Sequence, residues 1–304
     1  MDLTVTEKKE VAKGVMRVRL ALPDGADLPK APVGGHLPIV LPDGTGRRYS
    51  LTSPPSAPYR EITVLRTNPS AGGSAYIHDR LAVGDAVTVE PPEDGFPLAN
   101  GPHRGVFVAG GIGITPFLTM IPALRAAGGS HELHYAVREA YRRLPLPDAL
   151  DAHPHADDGS APPLDIGALL DRVDRDAHFY VCGPRGLIEA VRTGAAERGL
   201  PASHVHFESF GAAFRPGDLP ITVRLAHSGN VVTVKPGTTI LDAMLAEGVW
   251  APYGCQRGTC GQCWTPVTVG DVDHRDLCLS PEQRETGMCT CISWASTDEL
   301  VLEL

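Results

Sequence analysis

Long apolar runs are missing from this 304-residue sequence. The most apolar stretch, Val106 to Ile121, is short and broken by glycines and Pro116, so the sequence predicts no membrane span. The opening Met-Asp-Leu-Thr-Val-Thr-Glu-Lys-Lys-Glu is polar and lacks a signal-peptide apolar core, which argues against secretion. A basic excess is missing too. Lys and Arg total 27 against 36 Asp and Glu, and the resulting net charge of −9 sets nucleic-acid binding aside. No internal repeat is visible, and only one Cys-x2-Cys knuckle occurs where a structural zinc site usually shows two.

What remains is a soluble globular composition, 42% apolar and 21% charged, with enough chain for two or three domains. Seven cysteines without a signal fit a reducing cytoplasm, the expected location, and make a disulfide framework a poor reading. Residues 212–304 hold six Lys and Arg against eleven Asp and Glu, a net of −5. Such a face either steers a basic redox partner or simply keeps the surface solvated.

Three of the cysteines carry the sharpest signal. Cys255, Cys260 and Cys263 form Cys-x4-Cys-x2-Cys, the plant-type spacing for a [2Fe-2S] cluster held by four thiolates. Gly254, Gly258 and Gly261 lie among them, where backbone N–H groups must turn toward sulfur and positive φ is needed. Cys278, Cys289 and Cys291 are the candidates for the fourth ligand. Cys291 is chosen because Ile-Ser and an alternating C-terminal strand follow it, which leaves Cys278 and Cys289 as small buried hydrophobes. A structural zinc site in a binding or sensing module is the alternative.

The remaining chain divides by rhythm. Up to about Asn100 it reads as short strands, with Met16, Val18, Leu20 and Leu22 alternating at period two, as do Ile62 and Val64, and Val87 and Val89. Pro and Gly clusters punctuate them, which suggests a small antiparallel barrel. From Val106 a buried strand runs into Gly110-Gly111-Ile112-Gly113-Ile114-Thr115-Pro116, then a helix with Phe117, Met120, Ile121 and Leu124 on one face. Thr115 is the expected N-cap and Pro116 the first helical residue. Further strands at Glu132–Val137 and His178–Val181, and a helix from Gly186 to about Glu197, indicate a parallel α/β domain. Ala140 to Pro163 reads as a surface excursion without chemistry, and Gly211 to Pro220 as a linker. Strands at Ile221–Leu225, Val231–Val234 and Leu300–Leu304, with a helix from about Thr239 ending near Gly248, make a third unit.

Two further sites are suggested. Arg47-Arg48-Tyr49-Ser50-Leu51 offers a guanidinium for phosphate, a ring for an isoalloxazine face and a hydroxyl for the flavin's polar edge. Gly72-Gly73-Ser74 before the expected helix Ala75–Asp79 is a seat for the flavin phosphate, with Arg66 as a nearby cation. Gly110, Gly111 and Gly113, with Thr115 and Pro116, form a turn suited to a dinucleotide, and Cys182-Gly183-Pro184 form a second. Cys182 either touches nicotinamide or fills the core. Glu139, just past a strand, either contacts the adenosine ribose and favours NADH over NADPH or is an ordinary solvated carboxylate.

Arg-x-Tyr-Ser-Leu, Gly-Gly-Ser, Gly-Gly-Ile-Gly-Ile-Thr-Pro, Cys-Gly-Pro, His-Phe-Glu-Ser-Phe, the plant-type cysteines and Asp273-His274-Arg275-Asp276 follow one another in the order seen in phthalate dioxygenase reductases. The chain resembles that family, and vanillate demethylase reductases as well, over essentially its whole length. The resemblance implies a multidomain chain: an antiparallel β-barrel FMN domain (1–101), an α/β parallel-sheet NADH domain (102–211), a linker (212–219) and an α+β (β-grasp) plant-type ferredoxin domain (220–304). It places Arg47, Tyr49 and Ser50 on the flavin, Ser50 near its reactive nitrogen, and Gly72, Gly73 and Ser74 on the FMN phosphate. Phe210 would cover the flavin face and yield to nicotinamide. Electrons would pass from NADH through FMN to the cluster, flavin stepping two electrons down to one. The implied acceptor is a terminal Rieske-type oxygenase or demethylase, with a bacterial cytochrome P450 as the alternative partner.

Overall fold

The computed structural model describes residues 1–67, 72–210, 215 and 217–304. Gly211–Phe214 and Pro216 of the expected linker lie outside the described residues. The chain forms two compact units, Met1–Glu208 and Ser209–Leu304.

The first unit opens with the barrel. Its strands are β1 (Asp2–Ala12), β2 (Val15–Ala21), β3 (His36–Val40), β4 (Gly46–Ser50), β5 (Arg60–Leu65) and β6 (Ala86–Thr88), with helix α1 (Gly73–Asp79) before the last. Four of them make a sheet in the order β5-β2-β1-β6, and β3 pairs with β4. Bridges from Ile39 to Val89 and from Leu51 to Ile62 join the two sheets on both sides, so the six strands close on themselves, antiparallel throughout. The period-two positions Val18, Leu20, Ile62 and Val64 face inward with Leu3, Val5, Leu37, Ile39 and Leu51, each at most 3% exposed. Burying such a side chain contributes roughly 1.5–3 kcal/mol, and truncating Ile62 to Ala would cost about 2–5 kcal/mol.

The same unit continues with β7 (Arg104–Gly110), α2 (Phe117–Ala126), β8 (Ser130–Val137), β9 (Ala152–Ala156), α3 (Ile166–Arg172), β10 (His178–Gly183), α4 (Arg185–Glu197) and β11 (Val205–Ser209). The strand order β11-β10-β7-β8-β9 has parallel pairs from β10 through β9. From β7 the chain moves outward through β8 and β9, then returns to the other side of β7 with β10. The strand order therefore reverses between β7 and β10, and open α/β sheets bind ligands at the carboxyl ends of strands at such a point. Phe117, Met120, Ile121 and Leu124 are fully buried, as the helical spacing requires.

Ala140–Pro163 is no mere excursion: it contains two 3-10 turns, buried Leu144 and Leu150, and the edge strand β9. Ala-His-Pro-His-Ala carries no apolar alternation, and Pro154 is tolerated because the strand lies at the edge of the sheet. Thr115 is not the N-cap of α2. It is already helical in backbone, its hydroxyl donates to the Ile112 carbonyl at 2.9 Å, and Pro116 takes the cap position.

The second unit is built from β12 (Ile221–Leu225), β13 (Val231–Val234), α5 (Ile240–Ala246), β14 (Trp264–Val269), β15 (Val272–Asp273), α6 (Pro281–Thr286), β16 (Gly287–Cys289), β17 (Trp294–Ala295) and β18 (Glu299–Leu302). Its main sheet runs β13-β12-β18-β14-β16, with β12 and β18 parallel and the other pairs antiparallel, a β-grasp arrangement. Thr239 caps α5 by accepting from the Asp242 N–H at 2.9 Å, and Gly248 ends it at φ 75°. Ile240, Leu241 and Met244 pack this helix on Val223, Val234 and Leu300.

Candidate functional site

Arg47, Tyr49 and Ser50 share β4, paired in register with β3 so that Ser50 lies opposite His36. Ser50 is 6% exposed and its Oγ has no hydrogen-bond partner among the described residues. Leu51 sits deep in the barrel core, and its N–H is taken by the Gly35 carbonyl. The glycines of α1 meet these residues: a Cβ on Gly73 would fall 2.5 Å from the Tyr49 hydroxyl and 2.8 Å from Arg47 Cγ. Gly72 has φ 94°, which favours glycine. Ser74 shares its hydroxyl with Thr67 Oγ1 at 2.8 Å, and Arg66 is paired with Asp79 on α1. Burial pushes the Tyr49 hydroxyl up to about 12, so it remains a neutral donor at ordinary pH. A phenol and an arginine stem closing on a bare glycine, with a buried hydroxyl on the same strand, fit a planar ligand with a phosphate arm.

At the switch between β7 and β10 two glycine turns press on one another. A Cβ on Gly110 would lie 2.5 Å from Pro184 Cδ, one on Gly113 would lie 2.2 Å from the Cys182 carbonyl oxygen, and one on Gly183 would lie 2.9 Å from the Gly110 backbone. Gly111, at φ 56°, begins the 3-10 turn that carries the chain toward α2. The sequence-predicted Gly110, Gly111, Gly113, Cys182, Gly183 and Pro184 are therefore gathered at one place, with Thr115 and Pro116 one turn further on. Cys182 itself is fully buried in β10. Glu139 is half-buried and ion-paired with Arg142 at 2.8 Å. Phe210 follows β11 and is half-buried. A cavity of about 740 Å³ elsewhere in this unit is lined by Thr52, Thr63, Pro122, Leu144 and Leu150 and by none of the residues above.

In the second unit the cysteine loop runs between α5 and β14. The Cys255 sulfur accepts from the Arg257 N–H at 3.4 Å and the Thr259 hydroxyl at 3.3 Å, and the Cys260 sulfur accepts from the Cys255 N–H at 3.4 Å. Gln256, Gly258 and Gly261 hold φ between 55° and 75°, which turns those N–H groups inward. Cys263 and Cys291, each 2% exposed, bring their sulfurs within 3.2 Å. Cys291 also accepts from the Gly258 N–H and so faces the loop, while the Cys289 sulfur lies between Cys263 and Cys278, 3.8 Å from the Cys278 sulfur. Thiol donors from Cys289 and then Cys291 lower Cys263 to about 3, a ready thiolate. Four sulfurs in a nest of amide donors fit an anionic iron–sulfur group.

The profile of the 2Fe-2S iron-sulfur cluster binding domain matches residues 223–296. A tetrachlorobenzoquinone reductase from Sphingobium chlorophenolicum is 39% identical, covering 100% of this chain and 98% of its own. A phthalate dioxygenase reductase from Burkholderia cepacia is 35% identical over 100% of this chain and 97% of its own. The solved phthalate dioxygenase reductase, described as a modular structure for electron transfer from pyridine nucleotides to [2Fe-2S], superposes with a TM-score of 0.85 at 34% identity, covering 100% and 98% of the two chains. This chain belongs to the phthalate dioxygenase reductase family. An intact type IV self-sufficient cytochrome P450 monooxygenase also matches, with a TM-score of 0.69 and 33% identity, over 100% of this chain and 41% of that one.

That solved relative passes electrons from pyridine nucleotides to [2Fe-2S], and this chain is an electron-transfer oxidoreductase of the same family with a 2Fe-2S cluster binding domain. The zinc-module alternative falls with that. No helix among the described residues is long and apolar enough to cross a membrane. One feature of this reductase escaped the sequence reading. His36 Nε2 and Glu208 Oε1 lie 2.9 Å apart at 1% and 4% side-chain exposure, tying β11 to the barrel strand that faces Ser50. Gly95 makes room for the ring, since a Cβ there would fall 1.4 Å from His36 Nδ1. The only sequence signal was a carboxylate flanked by Phe207 and Phe210, and its partner is far away in the chain.

Proposed function

We propose that this reductase delivers single electrons to the iron centre of a terminal Rieske-type oxygenase or demethylase. One observation carries the one-electron exit: Cys291 turns into the loop of Cys255, Cys260 and Cys263, where amide and hydroxyl donors already surround sulfur. FMN held in the barrel would supply the step from two-electron to one-electron transfer between NADH and the cluster. The chain's own residues supply position and electrostatics. Cys255, Cys260, Cys263 and Cys291 hold the irons. Arg47, with Arg66, and Gly72, Gly73 and Ser74 would hold the phosphate arm, Tyr49 would support the ring, and Leu51 fixes the strand that carries them. Ser50 keeps a buried hydroxyl proton ready for the polar edge of the ring. Gly110, Gly111, Gly113, Thr115 and Pro116 lie with Cys182, Gly183 and Pro184 where NADH would seat, and Phe210 would shield the flavin. The functional borders run 1–101, 102–211 and 220–304.

The acceptor reading rests on relatives such as the Burkholderia cepacia phthalate dioxygenase reductase. The match to a self-sufficient P450 supports a P450 as the second reading. Seven unbridged thiols support a cytoplasmic location. Anaerobic mixing with NADH tests the relay: flavin absorption should fall first and the cluster band should follow. A cluster that stays oxidised while the flavin bleaches would overturn it. Presenting the NADH-reduced protein with purified Rieske oxygenases and with P450s then decides the acceptor.

A further inference from the structure

Beyond the four proposed ligands, the second unit holds two more thiols, and they face each other. Cys278 and Cys289 have their sulfurs 3.8 Å apart. Cys289 ends β16 and is fully buried, while Cys278 is half-buried between β15 and α6. Neighbouring contacts hold Cys278 in place. On one side the Leu277 N–H donates to the Gly258 carbonyl at 2.8 Å, and on the other the Leu279 N–H donates to Asp276 Oδ2 at 3.0 Å. Asp276 is fully buried and paired with Arg284 at 3.1 Å, which fixes the turn. The Cys278 sulfur also rests against the cysteine loop, 3.7 Å from where a Cβ on Gly261 would stand. A half-buried cysteine with a buried one in contact is the arrangement of an oxidisable thiol and its resolving partner.

We propose that Cys278 and Cys289 form a modification site, a thiol pair that hydrogen peroxide closes to a disulfide beside the cluster. The inference rests on the reading that Cys291, not Cys289, is the fourth iron ligand. Cys278 sulfur attacks one peroxide oxygen. An S–O bond forms, the O–O bond breaks, and water leaves after taking up a proton. Cys289 sulfur then attacks the sulfenic sulfur. The S–S bond forms, the S–O bond breaks, and the departing hydroxide takes the Cys289 proton as a second water. Two thiols lose one electron each and the peroxide gains both. The sulfurs must close from 3.8 Å to about 2.05 Å, a rotamer adjustment at the half-buried partner.

The holoenzyme provides the test. It is treated with graded hydrogen peroxide, its remaining thiols are alkylated, and trypsin is applied. Cys278 falls in the peptide 276–284 and Cys289 in 285–304, with Thr290 between Cys289 and Cys291 so that fragmentation tells the two apart. The expected result is a cross-link from Cys278 to Cys289 in most chains while the visible absorption of the cluster persists. In Cys289→Ser the cross-link should vanish and Cys278 should instead be trapped by dimedone as a sulfenic acid. Two thiols still alkylated at a peroxide dose that bleaches the cluster would overturn the proposal. Untreated Cys289→Ser reports on the ligand reading separately: a cluster lost there removes Cys291's claim, and a cluster kept there leaves only the peroxide result to decide. If that variant does not accumulate, Cys278→Ala gives the same comparison from the other sulfur, with the cross-link expected to disappear and the cluster to stay.

Discussion

Gly113 and Gly261, one in each unit, do different work. At the switch between β7 and β10, Gly113 has an ordinary φ but no room, because a Cβ would fall 2.2 Å from a backbone carbonyl. In the cysteine loop, Gly261 has room, with nothing nearer than 3.7 Å, but a φ of 75° that L side chains resist. The first requirement comes from tertiary contact between strands far apart in sequence. The second belongs to the loop alone. A site made by local conformation is written in one short stretch of sequence, while a site made by crossing strands is written in pieces.

The largest effect that can break this comparison is removal of a loop ligand. Cys291→Ser should abolish the cluster's visible and EPR signals and stop one-electron delivery to cytochrome c. NADH-driven reduction of ferricyanide by the flavin unit should survive, since that unit is compact by itself. Cys289→Ser should keep the cluster. If the two variants behave alike, the local reading of the loop is wrong.

Next in size are the glycines. Gly113→Ala must push a Cβ into the Cys182 backbone, at a cost of about 3 kcal/mol. The KM for NADH should rise at least about tenfold, which corresponds to 1.4 kcal/mol lost from the seat. Gly261→Ala meets only a conformational penalty of about 1–2 kcal/mol and should retain the cluster. Thermal melts followed by flavin and by cluster absorption separate the two units. Equal losses would erase the distinction between packing and conformation.

The same distinction explains what could be read beforehand. The barrel strands were legible because Val18, Leu20, Ile62 and Val64 alternate, and α5 because Thr239 and Gly248 bracket it. The cysteines were legible because their spacing is the site. Strand β9 was not, since an edge strand of Ala, His and Pro shows neither apolar alternation nor strand-forming side chains. The cap of α2 was misplaced because Thr115 binds the Ile112 carbonyl instead of an amide. His36 and Glu208 could not be paired from sequence at all, because only the folded sheet and barrel bring them together.

Ser50 gives a smaller effect. Its hydroxyl is buried without a partner among the described residues, and one hydrogen bond to a ligand is worth about 1–1.5 kcal/mol. Ser50→Ala should therefore slow flavin reduction by NADH about tenfold in stopped flow, while the cluster's spectrum and its oxidation by an acceptor remain as they were. Ser50→Thr should recover part of the rate. An unchanged rate in Ser50→Ala would take the hydroxyl out of the reaction.

The smallest effect depends on pH and belongs to the first unit. His178 stacks on His204 at 4.2 Å and on His206 at 5.2 Å, and His206 stacks on Tyr180 at 4.6 Å. Burial, and then the charge of His178, lowers His206 from 6.5 to about 4. The unfolded chain thus takes up this proton at a higher pH than the folded one. The stability tied to neutral His206 is complete above pH 6.5 and drains away as pH falls toward about 4. Flavin release on heating should move to lower temperature between pH 7 and pH 5, and His206→Gln should flatten that dependence while leaving the cluster's own melt unchanged. A slope that persists in His206→Gln would place the acid sensitivity elsewhere in the first unit, whereas a slope that disappears ties it to a ring held neutral by the sheet around it.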